Sequence, residues 1–148
     1  MLNIYTKSFE ELTIQELYDL LQLRSEVFVV EQDCIYQDID GKDQKALHVM
    51  GYKAQKLVAY TRIFKPNDYF EYASIGRVVV KQEARKFQYG YAIMKASIDA
   101  IEMHFKEQQI KISAQTYLKT FYNNLDFFEV GEGYLEDSIP HIAMIKSN

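Results

Sequence analysis

The chain has 148 residues and a net charge of −4, with 48% hydrophobic and 26% charged residues. That length is expected to form a single domain, residues 1–148, with a substantial core. The acidic balance argues against a nucleic-acid partner, and the lack of any apolar run of roughly 18 residues argues against a membrane span. One cysteine, Cys34, leaves no disulfide or thiol pair, and "MLNIYTKSFEELT" lacks a basic-then-apolar leader. A cytoplasmic setting is therefore expected.

In chain order, "LTIQELYDLLQLRSEVFVV" spaces Leu17, Leu20, Leu21 and Leu23 as a helix does, with Thr13 and Glu16 as a capping box. It runs into an extended or broken "EVFVVEQ", and "CIYQDIDGKDQKA" reads as a loop. Leu47–Tyr52 and Leu57–Phe64 flank a polar turn at Lys53–Lys56, which predicts an antiparallel hairpin. "YFEYASIGRVVV" predicts a strand whose apolar end is covered on both faces. The following helix carries Tyr89, Ile93, Ala96, Ala100 and Met103 on one stripe. "QIKISAQ" is a short strand and "TYLKTFYNNL" a short helix. "FFEVGE" and "HIAMIKS" are two further strands, separated by an acidic loop "GYLEDSIP". Strand–helix–strand units beside hairpins predict a mixed sheet with helices on both faces.

The segment "EARKFQYGY" (83–91) sits between the strand ending at Val80 and the helix from about Tyr89. In such crossovers a ligand lies beyond the carboxyl end of the strand, against unpaired amides at the helix start. A diphosphate suits that position, with Arg85 and Lys86 adding charge and Gly90 allowing close backbone approach.

Several motifs in register resemble the GNAT superfamily of N-acetyltransferases, and its ElaA-like branch in particular. They are "LRSEVFVVEQDCIYQDID" (23–40), His48, "IGRVVV" (75–80), "AQTYLKTFYNNLDFF" (114–128) and "GEGYLEDSIPHIAM" (131–144). The superfamily's phosphate turn, Arg/Gln-x-x-Gly-x-Gly/Ala, corresponds to Arg85 through Gly90, with Gln88 in place of the first glycine. Asp126 and Ser138 likewise stand where the family carries glycine.

The resemblance implies an α/β fold with a curved, mixed six- to seven-stranded sheet. Two parallel central strands, Ile75–Val80 and Ile110–Gln115, would splay apart to admit acetyl-CoA as co-substrate. Backbone of Val78, Val79 and Val80 would pair with the pantetheine arm. Amides and side chains of Arg85, Lys86, Phe87, Gln88, Tyr89, Gly90 and Tyr91 would hold the pyrophosphate. Tyr122 matches the proton donor to the departing thiolate. The general base is left open among Glu31, Glu136, His48, His141 and a water chain, with Glu31 named as the catalytic candidate.

Asp38, Asp40, Glu136 and Asp137, with His48 and His141, would receive a cationic amine. The alternative for these carboxylates is capping of turns in solvent. The resemblance also implies a homodimer joined through edge strands, and no metal is expected. The functional reading is transfer of an acetyl group to a primary amine of a small molecule or peptide by direct attack in a ternary complex. The alternative is a non-catalytic acyl-CoA-binding or sensing module on the same fold, because "QIKISA" lacks the acidic residue some relatives carry there.

Overall fold

A computed structural model describes residues 2–147. Seven strands form one sheet: β1 (Asn3–Ser8), β2 (Leu47–Lys53), β3 (Lys56–Phe64), β4 (Ala73–Val80), β5 (Ile110–Gln115), β6 (Phe128–Glu136) and β7 (Ile139–Lys146). Their spatial order is β1-β2-β3-β4-β5-β7-β6. Among the described residues only the β4–β5 pair is parallel. The expected mixed sheet is present, with one strand more than the sequence elements suggested. That strand is β1, a half-exposed edge whose short "NIYTKS" carries only a weak alternation.

The helix α1 (Ile14–Arg24) begins at the expected capping box: Glu16 N donates to Thr13 Oγ1 at 3.0 Å and Thr13 N to Glu16 Oε1 at 2.8 Å. The chain does not become extended after Arg24. It continues as a wide turn over Ser25–Glu31 in which Gln32 N reaches back to Val27 O at 3.1 Å and Cys34 N to Val29 O at 3.1 Å. Five-residue spacing of this kind marks a π-type bulge, common at functional sites. It turns Val27 and Phe28 inward, where they pack with Leu20, Leu23, Met50, Tyr60 and Val79.

The opposite face of the sheet is covered by α2 (Tyr89–Phe105). Its buried residues are Tyr89, Ile93, Met94, Ser97, Ala100 and Ile101, whereas Met103 faces solvent at 68% exposure. The stripe therefore rotates away from the expected Met103 towards Ile101. Ser97 can face the sheet because its hydroxyl is satisfied twice, by Thr61 Oγ1 at 2.6 Å and by Ile93 O at 2.7 Å.

The β2–β3 hairpin closes on Ala54 and Gln55, both with positive φ, as a tight hairpin turn of matching twist requires. The acidic stretch after "FFEVGE" is not a loop. β6 runs through Glu136, and only Asp137 and Ser138, at φ 51° and 66°, form the turn into β7. This sets Tyr134 opposite His141 and Glu136 opposite Ile139. A short helix, α3 (Lys119–Asn123), follows β5 and carries Tyr122.

Candidate active site

The site originates in the register of β4. It pairs with β5 only at Ala73↔Ile110 and Ser74↔Lys111, and from Ile75 onward no β5 partner remains. β5 instead stays paired with β7 along its whole length, from Ile110↔Lys146 to Gln115↔His141. On its other side β4 carries a bulge: Tyr60 pairs with Val79 but Arg62 with Gly76, so β4 spends an extra residue. Arg77 occupies that bulge at φ 51°. Bulges bend a strand and re-aim its side chains. Here the bend coincides with the parting of β4 from β5.

A cleft of about 490 Å³ fills one side of the gap. Val78, Val79 and Val80 form one wall and Gln115, Tyr117, Leu118, Phe121 and Tyr122 the other. The wide turn supplies Val27, Phe28, Glu31 and Gln32 as a roof. At the end of β4, Gln88 sits at φ 60° and places no side-chain cap on α2, so the first amides of that helix are left to an outside partner. Arg85, Gln88, Gly90 and Tyr91 line the cleft there.

Lys86, Phe87 and Tyr89, expected beside them, do not line it. Tyr89 is buried in the core, and Phe87 lies under Lys53, whose Nζ is 4.0 Å from the ring centroid. Gly90 has a packing role beyond ligand approach: a Cβ at this position would lie 3.3 Å from Phe121 Cζ.

On the other side of the same gap lies a smaller pocket of about 100 Å³, with Cys34, Tyr36, Arg77, Ser113, Glu136, Asp137 and His141 in its walls. Phe28, Gln32, Val78, Gln115, Leu118 and Tyr122 belong to both cavities. Gln32 Nε2 donates to Gln115 Oε1 at 3.3 Å between them. The two cavities thus meet at Tyr122.

Tyr122 is 5% exposed. Burial, with a smaller contribution from Tyr117, pushes its phenol well above the usual tyrosine value. His141 Nδ1 lies 2.7 Å from Ile139 O and donates to it, which leaves Nε2 of the neutral ring with a free lone pair. Glu136 Oε2 stands 3.7 Å from Nε2, and Ser113 Oγ donates to Glu136 Oε1 at 3.1 Å. Glu31 lines the larger cleft, where its Oε1 accepts from Arg85 Nη2 at 2.9 Å. Among the described residues there is no cluster of three or more His, Cys, Asp or Glu side chains able to hold a metal.

Asp38 and His48 do not reach an amine-binding surface as expected. Asp38 accepts from Arg24 Nε at 2.8 Å, Arg77 Nε at 2.7 Å and Tyr36 Oη at 3.1 Å. Asp43 bridges Arg24 and Arg62, and Asp40 takes the Arg62 fork at 2.9 and 2.6 Å. Burial by itself would raise the Asp40 and Asp43 carboxyls. The guanidinium bonds outweigh it and hold both below the usual carboxylate range. His48 is fully buried, with Nδ1 2.6 Å from Tyr60 Oη and Nε2 2.9 Å from Asp43 O. Burial lowers its pKa, so it is a neutral structural histidine. Three arginines and three aspartates here staple the 34–43 loop to α1 and the sheet, and that loop forms a wall of the smaller pocket.

The sequence reading missed Phe28, Gln32, Gln115 and Phe121. The signal for Phe28 was the unbroken apolar run after α1, which has neither the glycine nor the proline a true helix end would carry.

A mixed sheet that parts between two parallel strands, with an uncapped helix start at the mouth, is the frame of a CoA-dependent acyl transferase. The chain belongs to the GNAT acetyltransferase family, whose domain it matches over residues 9–148. Within that family it is ElaA-like. It is 44% identical over 138 residues to protein ElaA of Escherichia coli K12, covering 92% of this chain and 90% of that protein. The crystal structure of Escherichia coli ElaA superposes with a TM-score of 0.92 at 40% identity, covering 99% of this chain and 100% of the other. That of an acyl-CoA N-acyltransferase from Pseudomonas aeruginosa gives 0.91 at 40% identity, covering 98% and 99%.

Proposed function

We propose that the protein transfers the acetyl group of acetyl-CoA to a primary amine of a small molecule or peptide, by direct attack within a ternary complex. The observation that carries this reading is the loss of β4–β5 pairing after Ser74, with Tyr122 standing where the resulting two cavities meet. The acyl-CoA arm fits the larger cleft. The β4 edge at Val78–Val80 offers backbone groups that no β5 residue uses, and the amides from Gln88 to Tyr91 with Arg85 suit a pyrophosphate. The co-substrate supplies the thioester; the chain supplies position and proton transfer.

The amine enters from the smaller pocket. His141 Nε2 takes a proton from the incoming ammonium, with the Glu136 carboxylate beside the imidazolium so formed, and Asp137 adds negative charge at the rim. The neutral amine attacks the thioester carbonyl, the C–S bond breaks as Tyr122 donates its phenolic proton to the leaving sulfur, and the proton the nitrogen sheds as the amide forms returns to the phenolate. An ordinary phenol, with a pKa near ~10, protonates a thiolate whose thiol has a pKa of about 8.5 only uphill, by roughly 2 kcal/mol. Burial changes that balance in two ways. It keeps the phenol protonated through the working pH range, and it also disfavours a free thiolate in the same cleft. Glu31 is better placed as the partner of Arg85 than as the base, because its carboxylate is engaged on the phosphate side.

The test is thiol release from acetyl-CoA across a panel of primary amines, beside calorimetric titration of acetyl-CoA. Wild type turns over at least one amine, and Tyr122→Phe lowers kcat at least tenfold with acetyl-CoA affinity kept. No acetyl-CoA binding, or binding without turnover on any amine, would sink this reading. The second outcome would favour the sensing module.

A further inference from the structure

Two buried polar atoms have no hydrogen-bond partner among the described residues: Arg62 Nε and Ser74 Oγ. Both residues are 1% exposed. Buried groups are normally satisfied, so a pair of orphans calls for an occupant. Arg62 and Ser74 both line one cavity of about 50 Å³, whose wall also includes Phe64, Tyr69, Gly76 and Arg77. Its placement follows from sheet register. Ser74 lies opposite Phe64 and Arg62 opposite Gly76, so all four occupy one face of β3 and β4. Gly76 keeps the space open, since a Cβ there would touch nothing within 4 Å. Ile75, Gly76, Arg77, Ser113 and Glu136 line both this cavity and the amine-side pocket, so the one is an extension of the other.

We infer that this cavity is the subsite for a neutral carbonyl oxygen of the acceptor, so that the substrate class is a primary amine bearing an amide- or ester-like carbonyl a few bonds from its nitrogen. The inference rests on the proposed transferase reading and deepens it. Both orphans can donate, Ser74 through its hydroxyl and Arg62 through Nε–H, so the missing partner is an acceptor.

Charge decides which acceptor. The Arg62 and Arg77 cations are already matched by Asp38, Asp40 and Asp43. Lys111 is drawn to the Phe70 ring, with Nζ 4.9 Å from its centroid. Glu136 is the carboxylate lining the cavity itself. A carboxylate ligand would meet Glu136 and find no unmatched arginine. A carbonyl oxygen satisfies both donors and adds no charge. The amine at the other end of such a substrate would lie towards His141 and Glu136.

The experiment uses the intact chain saturated with CoA and compares the products N-acetylglycinamide, N-acetylglycine and N-propylacetamide by calorimetry. Glycinamide, glycine and propylamine are compared in parallel as acceptors. N-Acetylglycinamide should bind at least tenfold more tightly than N-propylacetamide, with glycinamide preferred to the same degree in kcat/KM. Ser74→Ala should bring the pair within about twofold, without lowering the unfolding midpoint, because the hydroxyl it removes has no protein partner.

Equal affinity for the pair in wild type, or a preference that survives in Ser74→Ala, overturns the subsite. Tighter binding of N-acetylglycine overturns the neutral class in favour of an anion. A water seen in the cavity that no acceptor displaces also overturns it. Failure of CoA itself to bind would instead remove the transferase reading, so the two failures are distinct.

Discussion

Arg24 is the centre of the ionic core, and replacing it tests how that core supports the site. Its side chain is fully buried and makes three hydrogen bonds: Nε to Asp38 Oδ2 at 2.8 Å, Nη1 to Asp43 Oδ1 at 2.8 Å, and Nη2 to Asp38 O at 3.2 Å. Arg24→Met keeps much of the volume and removes all three. Taking one partner from a buried ion pair costs roughly 3–5 kcal/mol, because the remaining charge is left uncompensated. Here Asp38 retains Arg77 and Asp43 retains Arg62, which places the expected loss near the lower bound, about 3 kcal/mol. For a chain of this size that is a fall in Tm of roughly 6–12 °C. Urea unfolding followed by circular dichroism reads the loss, and substrate titrations read its consequence. Asp38 anchors the loop that lines the amine-side pocket, so KM for the amine should rise while acetyl-CoA affinity changes less than twofold. A loss below about 1 kcal/mol, or an equal effect on acetyl-CoA, would refute the claim that the network is a structural support of the acceptor side.

Gln88 holds a left-handed conformation at φ 60° where glycine would be unstrained, so Gln88→Gly should stabilise the protein by about 0.5–1 kcal/mol, read as a higher urea midpoint. His48 has a folded pKa below its unfolded value near 6.5, so the unfolded chain binds the extra proton first. Its contribution is complete above pH ~6.5 and is lost as pH falls towards the folded value, with a slope of at most about 1.4 kcal/mol per pH unit. Stability curves between pH 7 and 5 should therefore be shallower in His48→Asn; parallel curves would contradict the assignment. Glu31→Gln should tighten acetyl-CoA binding two- to fivefold by releasing Arg85, with kcat within threefold of wild type. A hundredfold loss of kcat with unchanged affinity would restore Glu31 as the base.

Much of the frame was legible because it is written in local patterns. The Thr13–Glu16 capping box, the two-residue turn at Ala54–Gln55 and the α2 periodicity each depend on neighbours within one turn or one hairpin. The parting of β4 from β5 was legible only through family resemblance. It coincides with a one-residue register shift opposite Tyr60–Arg62; Gly76 in "IGRVVV" hints at a bulge, but nothing in the segment says that the neighbouring strand departs there. β6 was read too short because "GYLEDSIP" has loop composition, yet its Asp137–Ser138 pair is the part that turns, and the rest is an exposed edge strand free to be polar.

The carboxylates were the hardest part to place from sequence, for a reason intrinsic to charge. Asp38, Asp40, Glu136 and Asp137 look alike in a sequence, and an acidic cluster near a basic ligand site invites a binding role for all four. What separates them is the position of arginines distant in the chain. Arg24, Arg62 and Arg77 come from α1, β3 and β4, and they converge on the 38–43 segment alone. The two acidic residues beyond their reach, Glu136 and Asp137, are carried by the β6–β7 turn to the mouth of the amine-side pocket. The smaller pocket thus keeps negative charge that no guanidinium pairs with, since Arg77 in its wall is held by Asp38 and Asp40, beside a histidine whose tautomer is set by a backbone carbonyl. On the proposed transferase reading, that division of carboxylates into matched and unmatched suits one end of the passage to an ammonium group, while the other end, with Arg85 and free helix amides, suits phosphate.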